Sequence, residues 1–133
     1  MVVDTSAIVA ILTREPGSKR LVRAIDEAVS LQISAASVLE VGTVVESRYG
    51  PAAKKGFDHW LETTPIEIVV VTRDQVEAAL EGFRRFGKGR HPAALNFGDC
   101  FSYGLAKTLG EPLLFCGNDF GKTDIRAALQ PEE

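Results

Sequence analysis

Residues 1–12, Met1-Val2-Val3-Asp4-Thr5-Ser6-Ala7-Ile8-Val9-Ala10-Ile11-Leu12, change hydrophobic rhythm within two positions. Met1 to Thr5 is a short β-branched run, whereas Ala7, Ile8, Ala10, Ile11 and Leu12 recur at helical spacing. The same switch returns along the chain. Leu31 to Ser34 reads as a strand, and Ser37 is the expected cap of a helix running to Tyr49. Ile66 to Val71 reads as a strand covered on both faces, with Thr72 capping the next helix. Phe97 to Leu109 is helical and leads to a buried strand over Pro112 to Cys116. Helices from Pro16 and over Ala52 to Thr63 fill the earlier gaps, and Gly87 to Asn96 reads as a loop. At least four strands alternating with helices predict an α/β fold with a mainly parallel sheet and right-handed crossovers. In such sheets ligands sit beyond the carboxyl ends of the strands.

The composition fits that fold. With 133 residues, 45% hydrophobic and 25% charged, the chain resembles an ordinary globular domain and is long enough to bury a core without disulfides or structural metals. One domain over residues 1–133 is expected, and any metal would serve chemistry. A net charge of −3 argues against gripping nucleic acid by overall positive potential. No apolar run approaches the ~18 residues needed to span a bilayer, and the start lacks the basic residues of a signal peptide. A cytoplasmic protein with no membrane role is the expectation. Cys100 and Cys116 lack CxxC or zinc spacing and are expected as reduced thiols in the core.

Most of the 18 acidic residues suit solvated helix faces, but four stand apart. Asp4 ends the first apolar strand, and Asp119 follows Leu113-Leu114-Phe115-Cys116. Glu40 is the sole acid from Ala28 through Val45, and Asp99 the only one between Glu81 and Glu111. Each alone could be a helix cap or a buried hydrogen-bond acceptor. Together they suggest convergence, yet bare carboxylates about 4 Å apart repel by ~4 kcal/mol per pair at an effective dielectric of about 20. A divalent cation resolves that conflict. Carboxylates are hard ligands, and without His/Cys ligand spacing the expected ion is Mg²⁺, with Mn²⁺ as a substitute. Such ions activate water and stabilise charge on phosphoryl oxygens, which suggests phosphodiester hydrolysis; if two ions act together, 5′-phosphate and 3′-hydroxyl ends are expected.

Val3-Asp4-Thr5-Ser6-Ala7, Ser37-Val38-Leu39-Glu40, Asn96-Phe97-Gly98-Asp99-Cys100 and Gly117-Asn118-Asp119-Phe120 resemble, in that order, the motifs of the PIN-domain family. The resemblance spans nearly the whole chain, and its size and motifs look like those of the VapC ribonuclease toxins of bacterial toxin–antitoxin pairs. It implies a three-layer α/β/α fold around a mainly parallel sheet, and a Mg²⁺-dependent endoribonuclease whose metal-binding and catalytic acids are Asp4, Glu40, Asp99 and Asp119. It further implies a VapB-type antitoxin, a homodimer and a larger toxin–antitoxin complex. Thr5 or Ser6 would assist; Ser6 is assigned a supporting hydrogen bond to metal-bound water or phosphate, with a plain helix N-cap as its alternative. Asp124 matches a recurrent family position but is left outside the site. The chain departs from the family at Cys116, where a lysine often stands.

Some features stay open in the sequence. The run from Arg84 to His91 could guide RNA phosphates or be a solvated loop. His59 and His91 have no triad or zinc context. Phe57, Trp60 and Leu61 form an apolar helix face suited to the core or to a subunit or antitoxin contact. A phosphatase-type site would need a second carboxylate after Asp4-Thr5, which is absent. A noncatalytic RNA-binding PIN module is the competing reading, and RNA cleavage is what separates the two.

Overall fold

Two valines make the first strand, β1 (Val2–Val3), and Asp4 ends it by capping α1 (Thr5–Leu12). The computed structural model describes residues 1–131. After α1 come α2 (Ser18–Glu27), β2 (Leu31–Ser34), α3 (Ala35–Tyr49), α4 (Pro51–Thr63), β3 (Ile66–Val69), α5 (Arg73–Phe86), α6 (Phe97–Leu109) and β4 (Leu113–Leu114), then a 3₁₀ turn at Phe120–Lys122. The strands are parallel in the order β3-β2-β1-β4, with Val2 opposite both Gln32 and Leu113. The chain therefore builds outward from β1 to β2 and β3, then crosses back to add β4 on the other flank of β1. Such a reversal opens a crevice at the carboxyl ends of β1 and β4.

Side chains alternate across the sheet, and two cores result. Val3, Leu31, Ile33 and Leu114 pack with Ile8, Leu21, Val41 and Phe57. Val2 and Leu113 pack on the opposite face with Phe86, Leu95, Tyr103 and Leu105. Each fully buried side chain of this size contributes about 1.5–3 kcal/mol, which is what lets strands of two residues persist. The α/β/α layering agrees with the reading of the sequence. Phe57 is buried and stacks on the half-buried Trp60, so this face of α4 belongs to the core. No helix among the described residues is long and apolar enough to cross a membrane.

Several local expectations are corrected. Ser34, not Ser37, caps α3, its Oγ accepting from the Ala36 N–H at 3.2 Å, because strand passes into helix with no intervening loop. Ser37 is buried inside the helix. β3 is an edge strand rather than one covered on both faces: Ile68 is 49% exposed, as helix α5 leaves the sheet to pack on α6. β4 ends at Leu114, which places Cys116 on the surface, whereas Cys100 is half-buried and packs against the second core; both thiols are free.

The α5–α6 contact is tight because two glycines permit it. A Cβ on Gly82 would lie 2.9 Å from Tyr103 Cζ, and one on Gly104 would lie 2.5 Å from the Gln75 carbonyl oxygen. The intervening loop is pinned by mutual hydrogen bonds, Lys88 N–H to Leu95 O and Leu95 N–H to Phe86 O. This fixes where α6 begins, and so where Asp99 stands.

Candidate active site

Asp4 is 2% exposed and both its oxygens are engaged. Oδ2 accepts from the Ser6 N–H (3.0 Å) and the Ser6 hydroxyl (2.6 Å), while Oδ1 accepts from the Ser102 hydroxyl at 2.5 Å. The helix cap is thus Asp4 itself, and the N-cap alternative for Ser6 does not hold. Ser6 instead ties the end of β1 to the segment after β4, since its Oγ also accepts from the Cys116 N–H at 3.0 Å. Thr5 Oγ1 is buried beside it with no partner among the described residues.

Glu40 reaches the start of α6 from α3, and it can do so because residue 98 is glycine. A Cβ there would overlap Glu40 Oε2 and come within 2.8 Å of its Cδ. Asp99 follows in the first turn of α6, in a capping box: its N–H donates to Asn96 Oδ1 (2.9 Å) and its Oδ2 accepts from the Asn96 N–H (3.0 Å). Burial pushes the Asp99 carboxyl up to about 6, partly opposed by the Asn96 N–H and reinforced by the charges of Asp4, Asp119 and Glu40. Asp119 is exposed at the lip of the crevice, just before the 3₁₀ turn. All four expected acids therefore act on one neighbourhood although they come from four separate segments.

Ser102 and Ser37 were not anticipated. Ser102 lies one helical turn after Asp99 and Ser37 one turn before Glu40, so each shares a helix face with an acid. Their hydroxyls are 3.4 Å apart in the buried floor beneath Asp4. The Ser-x-x-Glu and Asp-x-x-Ser spacings put each serine on its acid's helix face, but serine is too common at such spacings for this to single them out.

The donor set suits a hard divalent cation. Every candidate ligand is a carboxylate, the Gly98 cradle leaves room for one of them, and the charge crowding at Asp99 is what a cation would relieve. Among the described residues no three His, Cys, Asp or Glu side chains close on one point as they stand.

Outside the crevice, Asp124 has a different task. Its Oδ1 accepts from the Tyr103 hydroxyl (2.7 Å), and its Oδ2 from Lys107 (3.0 Å) and Arg85 (3.1 Å). Burial pushes this carboxyl up, but Tyr103, Lys107 and Arg85 together hold it below the usual range. A carboxyl depressed by folding adds stability above its unfolded value of about 3.9, and that stability disappears as pH falls through the lower folded value. Asp124→Asn should lower stability by up to about 1 kcal/mol at pH 7: Asn keeps an acceptor for the Tyr103 hydroxyl, but that bond loses its charge assistance, and the half-exposed cations contribute little. Urea midpoints across pH check this. The deficit should shrink as pH falls below about 4, and a deficit constant down to pH 2 would refute it.

His91 is structural: its Nδ1 accepts from the Ala93 N–H and its ring meets Phe86 edge-on. His59 is exposed and takes no part in the crevice.

Comparison with known proteins agrees with these observations. A family model described as the PIN domain matches residues 1–126. Ribonuclease VapC of Mycolicibacterium smegmatis is 50% identical over 127 residues, covering 96% of this chain and 98% of its own. Ribonuclease VapC30 of Mycobacterium tuberculosis is 47% identical over 131 residues, covering 98% and 100%. Among solved structures, VapC20 of M. tuberculosis, a sarcin–ricin loop cleaving toxin, matches with a TM-score of 0.77 at 21% identity over 98% of each chain. FitAcB from Neisseria gonorrhoeae matches at 0.71 and 18% identity, over 95% of this chain and 94% of its own. With its parallel sheet, its gathered acids and relatives this similar along its whole length, the chain belongs to the PIN-domain family, on its VapC ribonuclease branch.

Proposed function

We propose that this chain is a Mg²⁺-dependent endoribonuclease, with Mn²⁺ as a substitute ion, and the toxin of a VapBC-type pair acting in the cytoplasm. The observation that carries the reading is the crowding of Asp4, Glu40 and Asp119 around Asp99 at the sheet's reversal point. The four would hold the ion. Bound there, it lowers the pKa of a water and offsets charge developing on a phosphoryl oxygen. The chain's own work is positional. Ser6 and Ser102 fix both oxygens of Asp4, Asn96 fixes Asp99, and Gly98 leaves Glu40 its place.

The relatives named as ribonucleases support RNA as the substrate. The partners follow the same reading: a VapB-type antitoxin, a homodimer and a larger toxin–antitoxin complex. A matched structure from Klebsiella pneumoniae, TM-score 0.69, is itself titled as a toxin–antitoxin complex.

Incubating the purified chain with total RNA in Mg²⁺ or EDTA, then mapping fragment ends, tests this. Internal cuts only with metal, leaving 5′-phosphate and 3′-hydroxyl ends, are expected. RNA that is bound but left intact in Mg²⁺ and Mn²⁺ favours the noncatalytic module, and 2′,3′-cyclic phosphate ends rule out water as the nucleophile.

A further inference from the structure

A nuclease whose centre is a cluster of acids, on a chain of net charge −3, has to hold a polyanion against its own repulsion. Cations close to the crevice must do this. The sequence draws the eye to the basic stretch that spans the last turn of α5 and the loop after it, but its guanidinium groups are already committed. Arg84 pairs with Glu81 (3.6 Å), Arg85 with Asp124 (3.1 Å), and Arg90 lies over the Phe83 ring.

The corner between α1 and α2 differs. Arg14, Lys19 and Arg23 are exposed there, and Lys122 is exposed across from them; their side chains make no hydrogen bond or ion pair with any described residue. Arg20, between them in sequence, donates to the Gln130 carbonyl at 3.0 Å. Two grooves meet at Pro16, Gly17 and Arg20. One is lined by Arg14, Lys19, Arg20 and Arg23 with Glu15 and Asp26 among them, a net excess of positive charge, and the other runs past Lys122 to Cys116, Gly117 and Asn118. Those last residues lead directly to Asp119, and the Cys116 N–H is bonded to the Ser6 hydroxyl that holds Asp4. The grooves thus form one surface that starts at the lip of the acidic crevice and ends among unengaged cations.

We propose that this surface is the track for single-stranded RNA, holding the sugar–phosphate backbone on one side of the scissile bond through Arg14, Lys19, Arg23 and Lys122. The assignment rests on the ribonuclease reading and adds the path of its substrate. It also gives the basic stretch around the end of α5 a structural role instead.

Binding of a fluorescein-labelled, unstructured RNA oligonucleotide in EDTA tests it, because no cutting then intervenes. Each phosphate contact contributes about 0.7 to the slope of log Kd against log salt for a single strand. The triple variant Arg14→Gln/Lys19→Gln/Arg23→Gln should therefore lose about 2 from that slope and bind at least about tenfold more weakly in low salt. A charge-keeping variant, Arg14→Lys/Arg23→Lys, should retain the wild-type slope. Lys88→Gln/Arg90→Gln, in the stretch after α5, should leave it within about 0.7 of wild type.

An unchanged slope in the triple variant overturns the track, as does an equal loss in the lysine variant. Wild-type RNA binding by the triple variant with loss of binding to poly-glutamate would assign the surface to an acidic protein instead. Hydrolysis of bis(p-nitrophenyl) phosphate with Mn²⁺, too small to reach the track, should be the same in wild type and triple variant. Absence of both RNA cleavage and this hydrolysis in the wild type would defeat the ribonuclease reading, while the salt slopes would still decide the track.

Discussion

Asp4→Asn should reduce metal-dependent RNA cleavage on the order of a thousandfold while leaving the fold intact. The size follows from removing a charge that holds a Lewis-acidic ion, an effect of several kcal/mol at about 1.4 kcal/mol per decade of rate. The survival of the fold follows from the hydrogen bonds. Asn caps helices as well as Asp does, and its carbonyl oxygen can take the place of Oδ2 as acceptor from the Ser6 N–H and hydroxyl. Its amide group then faces Ser102, whose hydroxyl can turn to accept and donate onward to Ser37 Oγ, 3.4 Å away. Stability should stay within about 1 kcal/mol of wild type. Cleavage rate and thermal midpoint are measured on the same preparation. An Asn variant that cuts RNA at the wild-type rate would end the proposal that Asp4 works as a metal ligand.

Gly98→Ala is expected to separate activity from stability more sharply still. The new methyl would fall on the Glu40 carboxylate, the far end of a flexible side chain, so that side chain can swing away at little expense. Alanine in the first turn of α6 also gains up to about 1 kcal/mol of helix preference over glycine. The thermal midpoint should hold or rise, whereas cleavage should fall about 10- to 100-fold, the usual scale for displacing one member of a metal's surroundings. In a Glu40→Gln background the same substitution should add little further loss, because both changes act through one carboxylate. Full additivity of the two losses would show that Gly98 serves something other than Glu40.

The acids of the crevice were legible because a charge inside an apolar stretch is conspicuous. Asp4 after Val2-Val3 and Asp99 between Phe97 and Phe101 are each anomalous where they stand, and the helical and extended rhythms put them at strand ends or on helices. Their hydroxyl supports were not legible. Serine is at home on the surface, in caps and in buried floors alike, so Ser102 acquires meaning only when α6 is laid against β1. The same holds for Ser34 and Ser37, where two serines three residues apart compete to start one helix and the end of β2 decides between them. The exposure of β3 escaped for a related reason. A run of Ile and Val looks alike at the edge and at the centre of a sheet, and only the crossing of the chain to the far flank of β1 makes it an edge. Cys116 was misplaced because an apolar run was read as strand two residues past the point where pairing stops.

Strand β1 lies between β2, supplied by neighbouring sequence, and β4, which pairs Val2 with Leu113 and is backed in turn by the bridge from Leu113 to Ala127. A polypeptide interrupted between Asp99 and Leu113 keeps three of the four carboxylates but leaves one margin of β1 bare. Proteolytic loss of a short tail thus disarms the molecule twice: Asp119 goes, and the raw margin invites aggregation and clearance.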